Sequence, residues 1–260
     1  MELRLDGRVA LVTGGSRGLG FAMAKKFAEC GADIAIVARR ADVLEEARDA
    51  LAAATGRTVW AHPCDVSDRM EIDHMYRALE KAFGRVDVLV NNAGGSKTGR
   101  FEDLTDEDWL SDLELKLFAA IRLCRLVLPG MKERAWGRII NVLNIGARAP
   151  GSRGAPTHVS RAAGLSLTKI LAGDGAPHNV LVNALLTGSI VTDQIERQWR
   201  REQSSLSLDD YIAEKGRRIP LGRLGTAEEY ANVACFLASD AGSYVTGTAI
   251  NVDGGLSPIV

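Results

Sequence analysis

A glycine-rich segment near the start of the chain has the residue types that bind phosphate through the backbone. The run Thr13-Gly14-Gly15-Ser16-Arg17-Gly18-Leu19-Gly20 directly follows an apolar stretch and opens a helical pattern. Glycines allow a tight turn and a close approach to a pyrophosphate, whose charge is stabilised at a helix N-terminus. This context, with a strand before and a helix after, favours a dinucleotide-binding turn over an ordinary strand-to-helix turn.

The residues that follow the second apolar run indicate which dinucleotide would bind. An acidic residue at the end of that strand selects NAD by hydrogen bonding to the ribose hydroxyls, but here the segment reads Val37-Ala38-Arg39-Arg40. Guanidinium groups favour a 2′-phosphate through charge-assisted contacts, and Arg17 supplies a third cation. The sequence therefore predicts NADP(H) in preference to NAD(H). The alternative is that Arg39 and Arg40 only begin a solvated helix.

Short apolar runs alternate with helical patterns along almost the whole chain, and these elements must position the residues above. The runs are continuous, as in parallel strands that are covered on both faces. They are Arg8–Thr13, Asp33–Ala38, Arg57–His62, Val86–Val90, Arg138–Leu143, Asn179–Leu185 and Ala249–Val252. Helical patterns lie between them, for example Gly18–Cys30, Ala41–Ala54 and Asp68–Phe83. We expect one α/β domain over residues 1–260, a doubly wound parallel sheet with right-handed crossovers.

Two longer segments call for separate interpretation. The longest helix is predicted to begin after Thr105, where Asp108 completes a capping box. Its apolar stripe is wide enough to serve both the sheet and a partner subunit, and it comprises Leu110, Leu113, Leu117, Ile121, Cys124 and Leu128. Residues 189–225 contain no clear strand and are interpreted as a substrate lid. The alternative for that segment is a solvated pair of surface helices.

Composition excludes several classes of protein. The 260 residues are 46% hydrophobic and 25% charged, with a formal net charge of −1, so bulk charge favours neither nucleic acid nor an anionic membrane. No apolar run approaches the roughly 20 residues of a membrane span, and the opening residues lack the pattern of a signal peptide. The four cysteines are scattered without metal-ligand spacing. We therefore expect a cytoplasmic protein with reduced thiols and no metal.

The glycine spacing, TGxxxGxG, resembles that of the short-chain dehydrogenase/reductase family, and other motifs agree. Asn91-Asn92-Ala93-Gly94 resembles the family's NNAG motif, and Asp65-Val66 resembles its adenine-contacting pair. The final segment, residues 222–256, is similar to the family's last helix and strand. The resemblance implies a Rossmann-type sheet of about seven strands and a homo-oligomer, a tetramer or dimer, paired partly through the long helix.

The resemblance also implies which residues contact the cofactor. They are Gly14, Ser16, Arg17, Gly18, Leu19, Gly20, Arg39, Arg40, Asp65, Val66, Asn92, Ala93, Gly94, Arg161, Gly188, Ile190 and Thr192. The Pro-Gly pair that usually follows the sixth strand is changed here to Thr187-Gly188.

The chain departs from the family at the positions that carry its chemistry. Typical members use an Asn–Ser–Tyr–Lys set, in which the lysine lowers the pKa of the tyrosine acid/base. The corresponding positions here are Lys116, Asn144, Thr157 and Arg161. An aliphatic hydroxyl is far less acidic than a phenol, and a guanidinium cannot exchange a proton. Asn144 retains the ability to donate to a substrate oxygen, and Arg161 to hold the cofactor ribose.

Two side chains are candidates to replace the lost proton relay. His158 is next to the tyrosine position and titrates near neutral pH, although one residue on a helix is a turn of about 100°, which would turn it away from the nicotinamide. Lys116 would titrate if it were desolvated; otherwise it would form a salt bridge with a carboxylate such as Glu114 or Asp112. Proton supply by water is a third route.

These observations leave three hypotheses for function. The first is an NADP(H)-dependent oxidoreductase with a non-standard proton relay that acts on a small carbonyl or hydroxyl compound. The second is a catalytically inactive protein that senses NADP(H) or acts as a scaffold. The third is a lyase or isomerase that uses the same pocket without net redox turnover.

Overall fold

The strands of the protein form one parallel sheet. The computed structural model describes residues 3–203 and 205–259. Their seven strands are ordered β3-β2-β1-β4-β5-β6-β7, and every neighbouring pair is parallel. The strands are β1 Val9–Thr13, β2 Asp33–Ala38, β3 Val59–Pro63, β4 Val88–Asn91, β5 Gly137–Asn144, β6 Val180–Thr187 and β7 Ala249–Val252. The predicted fold class is confirmed, and each predicted strand is present with bounds that differ by at most two residues.

Helices cover both faces of the sheet, as a doubly wound topology requires. They are α1 Gly18–Glu29, α2 Ala41–Thr55, α3 Arg69–Phe83, α4 Asp106–Leu113, α5 Ala119–Glu133, α6 Thr157–Gly175, α7 Asp193–Arg201, α8 Leu208–Gly216 and α9 Ala227–Ala238. One core packs α1, α2 and α9 against the sheet around residues such as Phe27, Leu44 and Tyr230. The second core packs α3 and α5 on the opposite face, around residues such as Met75 and Leu123.

The long helix begins as predicted but turns a different face to the protein. Thr105 and Asp108 form the predicted capping box. The turn Glu114–Phe118, which joins α4 to α5, is π-helical. Of the six residues in the predicted apolar stripe, Cys124 is the one that is buried, while Leu110 is 62% exposed. The wider turn changes the helical phase, so the apolar periodicity did not locate the buried face.

In α4 and the π-helical turn, the buried face is polar. Its buried residues there include Asp112 and Lys116, and farther along α5 the buried face becomes apolar, with Leu123, Val127 and Met131. The subunit contact expected through this helix stays a prediction. Within the described residues, none of the helices has both the length and the apolar character that crossing a bilayer requires.

Candidate functional site

The glycine-rich turn lies at the carboxyl end of β1 and leads into α1. Gly14 and Gly18 have φ values of +64° and +55°, in the left-handed region that favours glycine. A β-carbon on Gly20 would overlap the carbonyl oxygen of Gly14, so the turn closes tightly onto the helix. Arg17, the N-cap residue, makes no side-chain cap, and no acid lies in the first turn of α1. The first amide groups of this helix therefore lack side-chain acceptors, an arrangement that suits an anion.

The segment after β4 holds the glycine-rich turn in place. The Asn92 side-chain amide donates to the carbonyl oxygens of Thr13 and Gly14, at 2.8 and 3.2 Å. The Thr13 hydroxyl accepts from the backbone amides of Asn92 and Ala93, both at 2.9 Å. The segment that resembles the NNAG motif therefore fixes the glycine-rich turn through hydrogen bonds that connect β4 to β1.

A crevice follows the carboxyl ends of the strands and contains three adjoining cavities that share Gly94. The first cavity, of about 380 Å³, lies between the glycine-rich turn and α7. The second cavity, of about 510 Å³, lies over the ends of β2 and β3. The third cavity, of about 460 Å³, lies at the end of β5 beside α6. Of the seventeen predicted cofactor contacts, Gly20 alone lines none of the three among the described residues. The structure therefore gathers the other sixteen around one crevice.

The arginines predicted to recognise the 2′-phosphate stand at the rim of this crevice. Arg40 lines the first two cavities, and Arg17 lines the first. Arg39 lines the second, and its guanidinium Nη1 lies 4.0 Å from a carboxylate oxygen of Asp65. The Arg39 side chain is 74% exposed, so it is free to turn toward a ligand with little desolvation cost.

A buried polar cluster, formed by Asp112, Lys116, Thr157 and Ser160, adjoins the third cavity, which Thr157 lines. Lys116 Nζ pairs with the Asp112 carboxylate, and these side chains are only 1% and 2% exposed. Lys116 Nζ also donates to Thr157 Oγ1 at 2.7 Å, and the Ser160 hydroxyl donates to Asp112 Oδ2 at 2.6 Å. Burial lowers the pKa of the Lys116 ammonium, although the Asp112 carboxylate opposes that effect.

The Thr157 hydroxyl is fully engaged within this cluster and its neighbouring loop. It accepts from Lys116 and from the backbone amide of Lys97 at 3.0 Å, and it donates to the carbonyl oxygen of Lys97 at 2.7 Å. A hydroxyl has one donor and two acceptor sites, and Asp112 Oδ1, at 3.2 Å, is a second acceptor for the same proton, so the partners use its full capacity. Thr157, which the sequence resemblance places at the tyrosine position, therefore ties α6 to the loop that carries Lys97.

Three other predicted residues, Asn144, His158 and Arg161, face the third cavity. The Arg161 guanidinium donates to the carbonyl oxygen of Val142 at 2.6 Å. Asn144 Oδ1 and His158 Nδ1 are buried atoms without a hydrogen-bond partner. Burial, followed by the charge of Lys116, lowers the pKa of the His158 imidazole. Unpartnered buried polar atoms are rare in proteins. His158 Nδ1 lies against Gly154, so Asn144 Oδ1 is the one of the two that is left for a polar ligand in this cavity.

Two glycines hold the His158 ring. A β-carbon on either Gly146 or Gly154 would overlap the imidazole, so the ring occupies a slot that only these small residues leave open. Sequence reasoning missed this slot, and it also missed Ser160. The available signal was residue spacing. Asp112 and Lys116 are four residues apart and Thr157 and Ser160 are three apart, so each pair lies on one face of a helix. Of the two carboxylates considered for Lys116, Asp112 is the partner, while Glu114 pairs with Arg122 at 2.7 Å.

A bound metal ion would need a cluster of ligating side chains. Across residues 3–203 and 205–259, no group of three or more His, Cys, Asp or Glu side chains is arranged to hold a metal ion. All four cysteines are free thiols.

Known proteins are similar to this chain over nearly its whole length. A family profile described as enoyl-(acyl carrier protein) reductase matches residues 14–257. The 3-oxoacyl-(acyl-carrier-protein) reductase FabG of Chlamydia trachomatis is 34% identical over 258 residues, which covers 97% of this chain and 98% of that protein.

Two solved structures are similar over nearly the whole chain. L-sorbose reductase from Gluconobacter frateurii, in complex with NADPH and L-sorbose, has a TM-score of 0.95 and 34% identity, with all of both chains covered. A short chain oxidoreductase from Pseudomonas aeruginosa PAO1, bound to NADPH and described as containing an atypical catalytic center, has a TM-score of 0.91 and 36% identity, with 99% of each chain covered.

Proposed function

The chain belongs to the short-chain dehydrogenase/reductase family, and we propose that it is an NADP(H)-dependent oxidoreductase that interconverts a small carbonyl compound and its alcohol. The observation that carries this proposal is the third cavity, where the unpartnered His158 imidazole adjoins the crevice of the glycine-rich turn. Among the described residues that line this cavity, His158 is the side chain whose proton exchange falls near neutral pH. NADPH, when bound, supplies the hydride that the carbonyl carbon accepts.

The residues present fit such a cofactor. The uncapped N-terminus of α1 and the close-packed Gly14 turn offer backbone amides to a pyrophosphate. Asp65 and Val66 line the cavity at the ends of β2 and β3, which suits an adenine. We assign Arg161 to the nicotinamide ribose, in place of the family's lysine, because a guanidinium retains both charge and donors.

We further propose that NADPH is preferred over NADH because no carboxylate follows β2 and three arginines stand at the rim. Fluorescence titration with both nucleotides tests this preference. Replacement of Arg40, which lines two of the cavities, by Gln should weaken NADPH binding about tenfold and leave NADH binding unchanged, because it removes a charge-assisted contact. Arg48→Gln is the matched control, since Arg48 lies on α2 beside Asp49. Equal affinity of the unaltered protein for both nucleotides would contradict the preference.

The chemical centre that we propose does not use the family's tyrosine. Thr157 and Lys116 are bound to each other in the buried polar cluster, so we assign them to holding α6 and the neighbouring loop. Asn144 binds and polarises the substrate oxygen, and His158 exchanges the proton. The Pseudomonas structure supports a rearranged set in this family, because it is itself described as having an atypical catalytic center.

The direction of the His158 pKa shift determines how the two reactions depend on pH. Because burial lowers the pKa of this imidazole, the ring is neutral at pH 7 and ready to accept a proton from an alcohol. Carbonyl reduction needs the protonated ring, so its rate should fall as pH rises through the His158 pKa. Alcohol oxidation should show the opposite limb and fall as pH decreases.

Steady-state rates over a broad carbonyl panel, measured from pH 5 to 9 with His158→Gln as the variant, test this assignment. The variant should lose about 10²-fold or more in kcat together with the pH limb, since that is the usual contribution of a general acid or base. If the variant keeps the rate and the limb, His158 is not the proton donor. Tight NADPH binding without turnover on any carbonyl, unchanged by Thr157→Tyr combined with Arg161→Lys, would instead indicate a binding protein.

We also propose that residues 189–225 act as a lid. This segment contains α7 and α8, and its residue Gln194 lines both the first and the third cavities. It is joined to the rest of the domain by the backbone pairing of Ile190 with Gly225. A lid with such fixed ends could close over a substrate by moving its two helices. Protection of α7 amides from hydrogen exchange when NADPH and substrate are added would support this role, and unchanged exchange would contradict it.

A further inference from the structure

Arg161 carries a charge that no ion pair in the described part of the chain balances. Its Nη1 donates to the uncharged carbonyl oxygen of Val142, and across the described residues no carboxylate oxygen lies within 4.0 Å of its guanidinium. The other terminal nitrogen, Nη2, lies against Gly94, only 2.7 Å from the position that a β-carbon of that residue would take. The side chain is half-buried and lines the third cavity, so its charge faces a space that a ligand can enter.

The charges around this cavity do not balance. Lys116 and Asp112 neutralise each other within the buried polar cluster, and Ser160 occupies the second carboxylate oxygen of Asp112. Arg161 therefore contributes one positive charge in excess. No aspartate or glutamate is among the described residues that line the third cavity. A half-buried charge is partly desolvated and is stabilised when an opposite charge meets it.

Within the proposed function, on which this inference rests, we infer that the substrate is a short 2- or 3-oxo acid or its hydroxy acid, with its carboxylate bound by Arg161. A guanidinium has five donors, and one is used by Val142. The remaining donors suffice for a ribose hydroxyl and a carboxylate, which an arginine binds bidentately. Asn144 and His158, which line the same cavity, then remain for the carbonyl oxygen.

Matched acids and esters test this inference without requiring turnover. Pyruvate and acetoacetate are titrated by calorimetry into the protein saturated with NADP⁺, with their methyl esters as probes of the same shape and no charge. NADP⁺ cannot reduce an oxo acid, so the heat reports binding alone. Each acid should bind at least about tenfold more tightly than its ester, the range expected of a charge-assisted hydrogen bond.

Substitutions of Arg161 test whether the preference for acids over esters comes from this side chain. Arg161→Met should bring the acid-to-ester ratio close to one, and Arg161→Lys should retain part of it. Arg153→Met is the control, because Arg153 is exposed and does not line the third cavity, and it should leave the ratio unchanged. The ratio in the unaltered protein is itself a test, which needs no variant to fold.

The outcomes separate this inference from the proposed function. Equal binding of acids and esters, or an acid preference that survives Arg161→Met, would overturn the carboxylate site. In that case, NADPH-dependent reduction of the esters with a His158-dependent pH limb would leave the proposed function intact. Failure of the proposed function would appear differently, as the absence of NADPH oxidation with every carbonyl compound, charged or neutral.

Discussion

The most direct test of the buried polar cluster is Asp112→Asn, which keeps the shape of the side chain and removes its charge. The side chains of Asp112 and Lys116 are 2% and 1% exposed, so the ammonium would be left in an enclosed site without its counter-ion. Breaking a buried pair in this way costs about 3–5 kcal/mol. A chain of 260 residues unfolds with an entropy of about 0.55 kcal/mol/K, so Tm should fall by about 5–9 °C.

Thermal and urea unfolding, followed by circular dichroism at one fixed protein concentration, measure this loss. Glu114→Gln is the matched control, because Glu114 pairs with Arg122 where the two side chains are 39% and 18% exposed. That change should cost less than about 1 kcal/mol. A double variant, Asp112→Leu with Lys116→Met, removes both charges and leaves the net charge of the region unchanged. It should recover most of the lost stability.

Either of two results would contradict a buried ion pair at Asp112 and Lys116. One is a loss below about 1 kcal/mol for Asp112→Asn, because an exposed pair would behave that way. The other is a double variant no more stable than Asp112→Asn, because the cost would then come from packing or hydrogen bonding and not from an unpaired charge.

Two further predictions concern single contacts. Gly154→Ala places a methyl group where the His158 ring lies, so the displaced imidazole should lose its burial and its pKa should rise toward the ordinary value. Proton NMR titration measures this shift, and Gly151→Ala, with nothing within 4 Å of the added carbon, should not cause it. The hydrogen bonds from Arg223 lower the pKa of the Glu229 carboxylate to about 2. Its contribution to stability is therefore present above the ordinary glutamate pKa and is lost as pH falls through about 2. In Arg223→Gln, carbon-13 NMR titration should place that loss at a higher pH, whereas an unchanged Glu229 titration would contradict the assigned cause.

The fold was predictable because its signals are local. A parallel strand that is covered on both faces must be apolar along its whole length, and β1 and β6 are buried along nearly all of theirs. The glycine-rich turn was equally readable, because positive φ at Gly14 and Gly18 is a property of the residue type. The capping box at Thr105 needs only residues three positions apart.

The face of the long helix was not predictable in the same way. Apolar periodicity assumes a constant number of residues per turn, and the π-helical turn Glu114–Phe118 breaks that assumption. The side that packs toward α6 is also polar there, with Asp112 and Lys116 buried. A hydrophobic pattern does not mark a buried ion pair, since its partners are compensated by each other and not by apolar neighbours.

By itself, the sequence determined the order of strands and helices, the glycine-rich turn after β1, and the residue types Thr157 and Arg161 where the family resemblance implies a tyrosine and a lysine. Tertiary structure alone decided which side chains contact one another around Thr157 and Arg161. It joined Asp112 to Ser160 across 48 residues and left the Arg161 charge facing a cavity that no acid lines among residues 3–203 and 205–259. The physical reason is that hydrogen bonds and charges act over a few ångströms of space, and only the folded chain determines which distant residues lie that close together.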